Sequence, residues 1–162
     1  MDSWIRIGSD DGTDVPLCAF EADAPKATFL MLPALGVKAR FYRHLGKALA
    51  EQGITCFLFE QRGHGESPER AGRGKTFGLK AYLENDLMAA INYLKRETPN
   101  TPLYLAGHSM GGHLAAVMAG REAGVKGVVQ LACGFPYHGF FGTRQAKQIK
   151  FLSRMLPLVT LL

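Results

Sequence analysis

The chain has 162 residues, of which 47% are hydrophobic and 20% are charged; these values are typical of one globular domain with a buried core, not of a disordered or fibrous chain. Its 19 Lys and Arg residues and 14 Asp and Glu residues give a net charge of +5. The basic residues are scattered along the chain, which argues against nucleic-acid binding. No apolar run is long enough to cross a bilayer and no signal peptide is visible, so we expect a cytoplasmic protein.

The N-terminal half predicts a hairpin and then alternating elements. Asp11-Gly12 is a hairpin turn signal between the strands, and the acidic cluster around it, which includes Asp10 and Asp14, lacks the spacing of an EF-hand loop. The predicted elements, in chain order, are strands Trp4–Ile7, Val15–Phe20 and Ala27–Leu32, helix Phe41–Gln52, strand Ile54–Phe59, a loop over Gln61–Gly78, helix Leu79–Arg96, a strand from Leu103, a helix after Ser109 and strand Val125–Ala132. Strands that alternate with helices predict an α/β protein with a mainly parallel sheet of about six strands, flanked by helices.

The three cysteines, Cys18, Cys56 and Cys133, lie among apolar residues in predicted strands. An odd number of thiols in such positions favours buried free cysteines in a reducing compartment over a disulfide framework. None of them lies in a metal-type pair spacing. The sequence therefore predicts neither a metal site nor a cofactor.

The segment from Leu103 to Gly112 joins a predicted buried strand to a helix through Gly-His-Ser-Met-Gly. This is the G-x-S-x-G turn, a strained bend that presents one serine hydroxyl at the tip of a sheet and at a helix N-terminus. Bulky side chains at Gly107 or Gly111 would clash, and the N–H of Met110 points to where negative charge develops on a substrate. We therefore predict that Ser109 is a nucleophile.

Three segments together resemble the α/β-hydrolases, in the broad group of monoacylglycerol-lipase-like and serine-aminopeptidase-like esterases. Beside the serine turn, Leu32–Gly36 (LPALG) stands at the position of the family's H-G-x-G oxyanion loop, and Phe59–Ser67 (FEQRGHGES) is similar to its D-x-R-G-x-G-x-S. The resemblance covers about residues 15 to 135. It implies that the backbone N–H groups of Leu35 and Met110 form the oxyanion hole. Glu60 replaces the family's usual aspartate, at a position that mostly shapes the loop.

A serine nucleophile needs a base and an orienting acid, and in the family these follow the serine, first the acid and then the histidine. After Glu122 the sequence has no Asp or Glu and only one histidine, His138. The chain therefore resembles the N-terminal part of the fold, an incomplete α/β-hydrolase that ends inside the lid: residues 1–134 would form the core and residues 135–162 the start of a lid-like helical segment. His138 is the one substitute base considered; structural or solvated roles are expected for His44, His64, His108 and His113.

Two other segments invite different interpretations. Gly72–Thr76 imitates the end of a phosphate-binding loop, but Glu69 stands where the motif needs glycine and no strand leads into it. The tail from Gln145 to Leu162 is predicted as a basic, apolar helix interrupted by Pro157. Its composition fits lid material over an acyl pocket better than contact with a membrane surface; the residues concerned are Arg144, Lys147, Ile149, Lys150, Leu152, Arg154, Met155 and Leu156.

Two functional hypotheses remain open at this point. The first is a serine hydrolase that forms an acyl-enzyme on Ser109 from a small-molecule ester with an apolar part, with the acid and histidine supplied by a missing C-terminal half or by another chain. The second is a catalytically inert, truncated or binding fragment of the same fold. In both cases we expect self-association, because the strand Val125–Ala132 would form an uncovered sheet edge.

Overall fold

A six-stranded sheet forms the centre of the molecule in the computed structural model, which describes residues 3–75, 77–134 and 137–159. The strands are β1 (Ser3–Gly8), β2 (Asp14–Phe20), β3 (Ala27–Leu32), β4 (Ile54–Phe59), β5 (Leu103–His108) and β6 (Val125–Leu131). Their order across the sheet is β1-β2-β4-β3-β5-β6. β2 pairs antiparallel with β1 and β4, whereas β3–β4, β3–β5 and β5–β6 are parallel. The predicted fold class, a mainly parallel α/β sheet, is confirmed.

Helices pack on both faces of this sheet. A 3-10 helix (Ala39–Tyr42) leads into α1 (Arg43–Glu51), and α4 (Met110–Arg121) follows β5. The helix predicted over Leu79–Arg96 consists of α2 (Leu79–Ala81), a π-helical segment (Tyr82–Leu87) and α3 (Met88–Glu97). After β6, a second 3-10 helix (His138–Phe140) packs against α5 (Thr143–Val159).

The core has one layer on each side of the sheet, because successive residues of a strand face opposite sides. In β3, Leu30 and Leu32 belong to the larger layer, which includes residues of α3 and α4. Met31, between them, belongs to the smaller layer, against which Leu45 and Leu49 of α1 pack. β3 is therefore buried on both faces, as its unbroken apolar run predicts.

Two expectations from the sequence are wrong. Cys133 does not lie in a strand: β6 ends at Leu131, and Ala132 has a φ of 49°, which turns the chain out of the sheet. Pro157 does not interrupt the tail, since α5 runs to Val159. A proline costs a helix the hydrogen bond of its own N–H and crowds the preceding turn, and here these effects fall in the last turn of the helix. Thr76 and the last three residues of the predicted tail lie outside the described residues.

β6 is an edge strand, and none of its residues is buried. Val129 and Leu131 are among the exposed large hydrophobic residues. The edge expected at this strand is present, while self-association through it stays a prediction. Within the described ranges, no helix combines the length and the apolar character that crossing a bilayer requires.

Candidate active site

Ser109 occupies a strained bend between β5 and α4. Its φ of 51° and ψ of −118° lie outside the regions that L-residues favour, at a cost of about 1–3 kcal/mol. The backbone N–H of Ser109 donates a hydrogen bond to the Leu131 carbonyl at 2.9 Å, which ties the bend to the end of β6. The bend that the G-x-S-x-G pattern predicts is thus present in the backbone.

Three glycines allow α4 to approach the sheet closely at this bend. A Cβ on Gly107 would lie 2.2 Å from the carbonyl carbon of Gly111, and one on Gly111 would lie 2.4 Å from the carbonyl oxygen of Leu32. A Cβ on Gly112 would lie 2.2 Å from Sγ of Cys133. The first turn of α4 therefore contacts the chain that leaves β3, and larger residues would push the two apart.

The Ser109 side chain is half-buried, and within the described ranges no group forms a hydrogen bond with its hydroxyl. Met110 is the first residue of α4, so its N–H has no acceptor inside the helix. The N-terminus of a helix also carries partial positive charge. The Met110 N–H and this dipole therefore lie next to Ser109.

The loop after β3 contains a tight turn with Leu35 at its second position. The Val37 N–H donates to the Ala34 carbonyl at 3.1 Å, and Gly36 has a φ of 76°. Since Leu35 is not among the residues with positive φ, the turn is of type II, which requires glycine or asparagine at the third position. The Leu35 N–H has no hydrogen-bond partner within the described ranges.

A buried polar network that the sequence analysis missed holds this loop. Nε2 of Gln61 donates to the carbonyls of Pro33 and Ala34 at 3.0 and 3.1 Å. The Tyr42 hydroxyl accepts the Ala34 N–H at 3.0 Å and lies 2.9 Å from Nδ1 of His108. Gln61 stands at a variable position of the D-x-R-G-x-G-x-S pattern, and no sequence signal singles out Tyr42.

Glu60 makes hydrogen bonds to two backbone segments of the same region. Its carboxylate accepts the N–H of Ala39 at 3.0 Å and that of Glu66 at 3.3 Å. The side chain is almost fully buried, and this burial raises the pKa of the Glu60 carboxyl group. The contacts agree with the expectation that this position shapes the loop.

An ion-pair network joins the N-terminal hairpin to the loop after β4. Arg62 makes a two-point contact with Asp86, in which its Nε lies 2.9 Å from Oδ2, and its Nη1 lies 2.8 Å from Oδ2 of Asp11. The hydrogen bond from Arg62 holds the pKa of the Asp11 carboxyl group well below its usual range. The acidic turn therefore serves as an ion-pair partner, and no three His, Cys, Asp or Glu side chains of the described part of the chain could hold a metal ion.

The residues that could act as base or acid lie in other contacts. Glu122 follows the last residue of α4 and pairs with Lys95 at 3.2 Å; the rise of a helix puts it about 20 Å from Ser109. His138 lies on the second 3-10 helix, with its ring against that of Tyr137. No hydrogen bond or ring contact within the described residues joins His138 to Ser109, and its role as a substitute base stays a prediction.

The other histidines have local partners or lie at the surface. Nδ1 of His64 lies 3.2 Å from the Arg62 carbonyl oxygen, and Nε2 of His113 lies 3.1 Å from that of Gly134. His44 is exposed on α1. Among the described residues, Ser109, Met110 and the Leu35 loop therefore lie together at the C-terminal ends of β5 and β3. No histidine–carboxylate pair of these residues lies beside them.

Solved structures with the same architecture define the class of fold. The α/β hydrolase GrgF from Penicillium sp. sh18 matches with a TM-score of 0.76 and 22% identity, over 99% of this chain and 52% of its own. A lipase in an open form matches with a TM-score of 0.68 and 23% identity, over 80% of this chain and 44% of its own. At these identities the likeness shows the fold, which is that of part of an α/β-hydrolase.

The family follows from the sequence match. Residues 23–161 match the model of the hydrolase family described as Serine aminopeptidase, S33, and the chain belongs to that family. Human monoglyceride lipase is 26% identical over 100 residues, which are 62% of this chain and 32% of that protein. Mouse monoglyceride lipase is 24% identical over 141 residues, 85% of this chain and 45% of that protein. The chain spans less than half the length of these curated relatives.

Proposed function

We propose that the protein is a serine hydrolase of the esterase type, acting on a small-molecule carboxylic ester with an apolar acyl or alcohol part. The observation that carries the proposal is the strained Ser109 bend, which is followed directly by Met110, whose N–H has no acceptor within α4. The family match and the similarity to monoglyceride lipases support the ester class. Cys18, Cys56 and Cys133 form no disulfide, which supports placement in the cytoplasm.

In the proposed reaction the Ser109 oxygen attacks the ester carbonyl carbon. The N–H groups of Leu35 and Met110 stabilise the oxyanion that forms. The C–O bond to the alcohol then breaks, the alcohol leaves with the proton taken from Ser109, and water hydrolyses the acyl-enzyme. The described residues place no histidine–carboxylate pair at Ser109, so the proposal assigns the base and its acid to a further part of the protein or to another chain.

The lack of a histidine–carboxylate pair at Ser109 among the described residues favours the second candidate function, an inert or binding fragment of the fold. Incubation with a fluorophosphonate probe and with a short-chain nitrophenyl ester separates the two. Labelling and turnover that disappear in Ser109→Ala support the hydrolase, and His138→Ala tests the substitute base. A folded sample that neither reacts nor turns over would favour the inert alternative for this chain.

The type II turn supplies a selective test of the oxyanion hole. Proline fits the second position of such a turn, so Leu35→Pro retains the turn and removes only the N–H of that residue. We expect Leu35→Pro to lower the rate of Ser109 labelling by about 100-fold or more, as for loss of one oxyanion donor. Leu35→Ala retains the N–H and is the matched control.

A further inference from the structure

We propose that Gln61 is a positioning residue for the oxyanion hole: with Tyr42, it holds the two peptide groups before Leu35 so that the Leu35 N–H is directed at the substrate oxygen. This inference rests on the proposed function, because it concerns the same site. The two peptide groups, Pro33–Ala34 and Ala34–Leu35, each have one C=O and one N–H. Three of these four polar groups form hydrogen bonds. The fourth group is the Leu35 N–H.

The first of these peptide groups joins Pro33 to Ala34. Its carbonyl oxygen accepts a hydrogen bond from Nε2 of Gln61 at 3.0 Å, and its N–H donates to the Tyr42 hydroxyl at 3.0 Å. A trans peptide is planar, with its C=O and N–H pointing in opposite directions, and no cis peptide occurs among the described residues. Partners on both sides therefore fix the rotation of this plane.

The second peptide group joins Ala34 to Leu35. Its carbonyl oxygen accepts from Nε2 of Gln61 at 3.1 Å and from the Val37 N–H at 3.1 Å. Because that oxygen is held on the side of Gln61, the Leu35 N–H must point to the opposite side. Rotation of the peptide would break both hydrogen bonds at once.

The clamp formed by Gln61 and Tyr42 is also joined to the nucleophile bend. The Tyr42 hydroxyl lies 2.9 Å from Nδ1 of His108, the residue before Ser109. On the other side, a Cβ on Gly111 would lie 2.5 Å from the Pro33 oxygen, so the first turn of α4 contacts the clamped peptide. The orientation of the Leu35 N–H is thus set relative to Ser109 by contacts on two sides.

The chemistry of the Gln61 side chain suits this role. Its amide nitrogen has two hydrogens, one for each carbonyl, and the residue is only 3% exposed, so water does not replace them. Glutamate has the same size but no N–H donors. Gln61→Glu therefore removes both N–H donors with little change in volume and leaves at most one O–H donor, on a protonated carboxyl group. Gln61→Leu removes both hydrogen bonds with an apolar side chain.

The sequence offers a direct readout of the clamped peptide. Ala-Leu occurs at two places, Ala34-Leu35 and Ala48-Leu49, so a sample with ¹³C-carbonyl alanine and ¹⁵N leucine yields two selected amide signals. Leu49 lies in α1 and is the internal control for folding. In Gln61→Leu and Gln61→Glu we expect the Leu35 signal to shift or split while the Leu49 signal stays in place. Gln148→Leu, the same change at an exposed glutamine of α5, should leave both signals unchanged.

The second measurement is the rate at which a fluorophosphonate labels Ser109 in the same samples. We expect at least about a tenfold loss in both Gln61 variants, with kcat reduced and KM little changed where an ester is turned over, because the oxyanion interaction strengthens in the transition state. An unmoved Leu35 signal in a folded variant overturns the clamp, and a shifted signal with an unchanged labelling rate overturns its role in reactivity. If the wild-type Ser109 is not labelled, the result favours the inert alternative for this chain, and the Leu35 signal still supports or overturns the clamp.

Discussion

Glu60 and Gly65 are in such close contact that a Cβ on Gly65 would lie 1.9 Å from Oε2 of Glu60. The Glu60 carboxylate is closed off from water, and the N–H groups of Ala39 and Glu66 are its partners. Desolvation disfavours the charged form of a carboxyl group. The protein therefore carries a buried carboxyl group directly beneath the loop that precedes α1.

We expect this carboxyl group to make stability depend on pH in a defined direction. Burial raises the pKa of Glu60 in the folded protein, so the folded state takes up a proton at a pH where the unfolded chain has released it, above about 4.3. Folding stability contributed by Glu60 must then rise as pH falls through this window. Glu60→Gln cannot take up that proton, and so the stability of the wild type relative to the variant should increase as pH falls from 7.

Urea unfolding of both proteins between pH 7 and about pH 4.3 measures this difference. The difference between wild type and variant isolates Glu60, because the other titrating groups are common to both. A difference that stays constant, or that shrinks as pH falls, would contradict the raised pKa.

Arg62→Met should destabilise the protein strongly. The side chains of Arg62 and Asp86 are 7% and 2% exposed, and removal of the guanidinium leaves a buried carboxylate without its partner, at a cost of about 3–5 kcal/mol. Lys75→Met removes a partner of Glu69 from an exposed ion pair and should cost less than about 1 kcal/mol. The double change Arg62→Met with Asp86→Leu should regain much of the lost stability; no recovery would argue against an unpaired charge as the cause.

Ser109→Gly and Ser109→Ala should differ in stability although neither has a hydroxyl group. Glycine adopts positive φ without steric cost, whereas alanine retains the strain of the bend. We expect Ser109→Gly to be more stable than Ser109→Ala by about 1 kcal/mol, as measured by thermal or urea unfolding. Equal stabilities would mean that the strain relieved at position 109 is no larger than the extra backbone entropy that glycine loses on folding.

Gly111→Ala should disrupt the site, while Gly120→Ala in the same helix should not. The new Cβ at position 111 would meet the carbonyl oxygens of Leu32 and Pro33, whereas the one at position 120 meets nothing within 4 Å. Gly120→Ala should stabilise α4 by about 0.5–1 kcal/mol. Unfolding free energies and Ser109 labelling of both variants test this contrast, and an unimpaired Gly111→Ala protein would refute the close approach.

Local patterns were sufficient to predict several features. The apolar run Ala27–Leu32 indicated a strand buried on both faces, and the glycines around Ser109 indicated the bend, because each depends on chemistry within a few neighbouring residues. The bounds of β1 and β2 were predicted to within about two residues. The end of β6 was predicted to within one residue, although nothing in the sequence marks the positive φ of Ala132.

The network around the Leu35 loop could not be predicted in the same way. Gln61 follows β4, the loop follows β3, and His108 ends β5. They meet because the strand order places β3 between β4 and β5, and that order follows from the packing of the whole sheet. A side chain at a variable position of a motif can therefore make the most specific contacts of the site.

The central place of β3 has a consequence for how the protein loses reactivity. All parts of the candidate site are attached to three adjacent strands in the interior of the sheet, so fraying at β1 leaves them together. Heat or denaturant should abolish the reaction of Ser109 only when the sheet itself melts, and the midpoints of inactivation and of global unfolding should coincide.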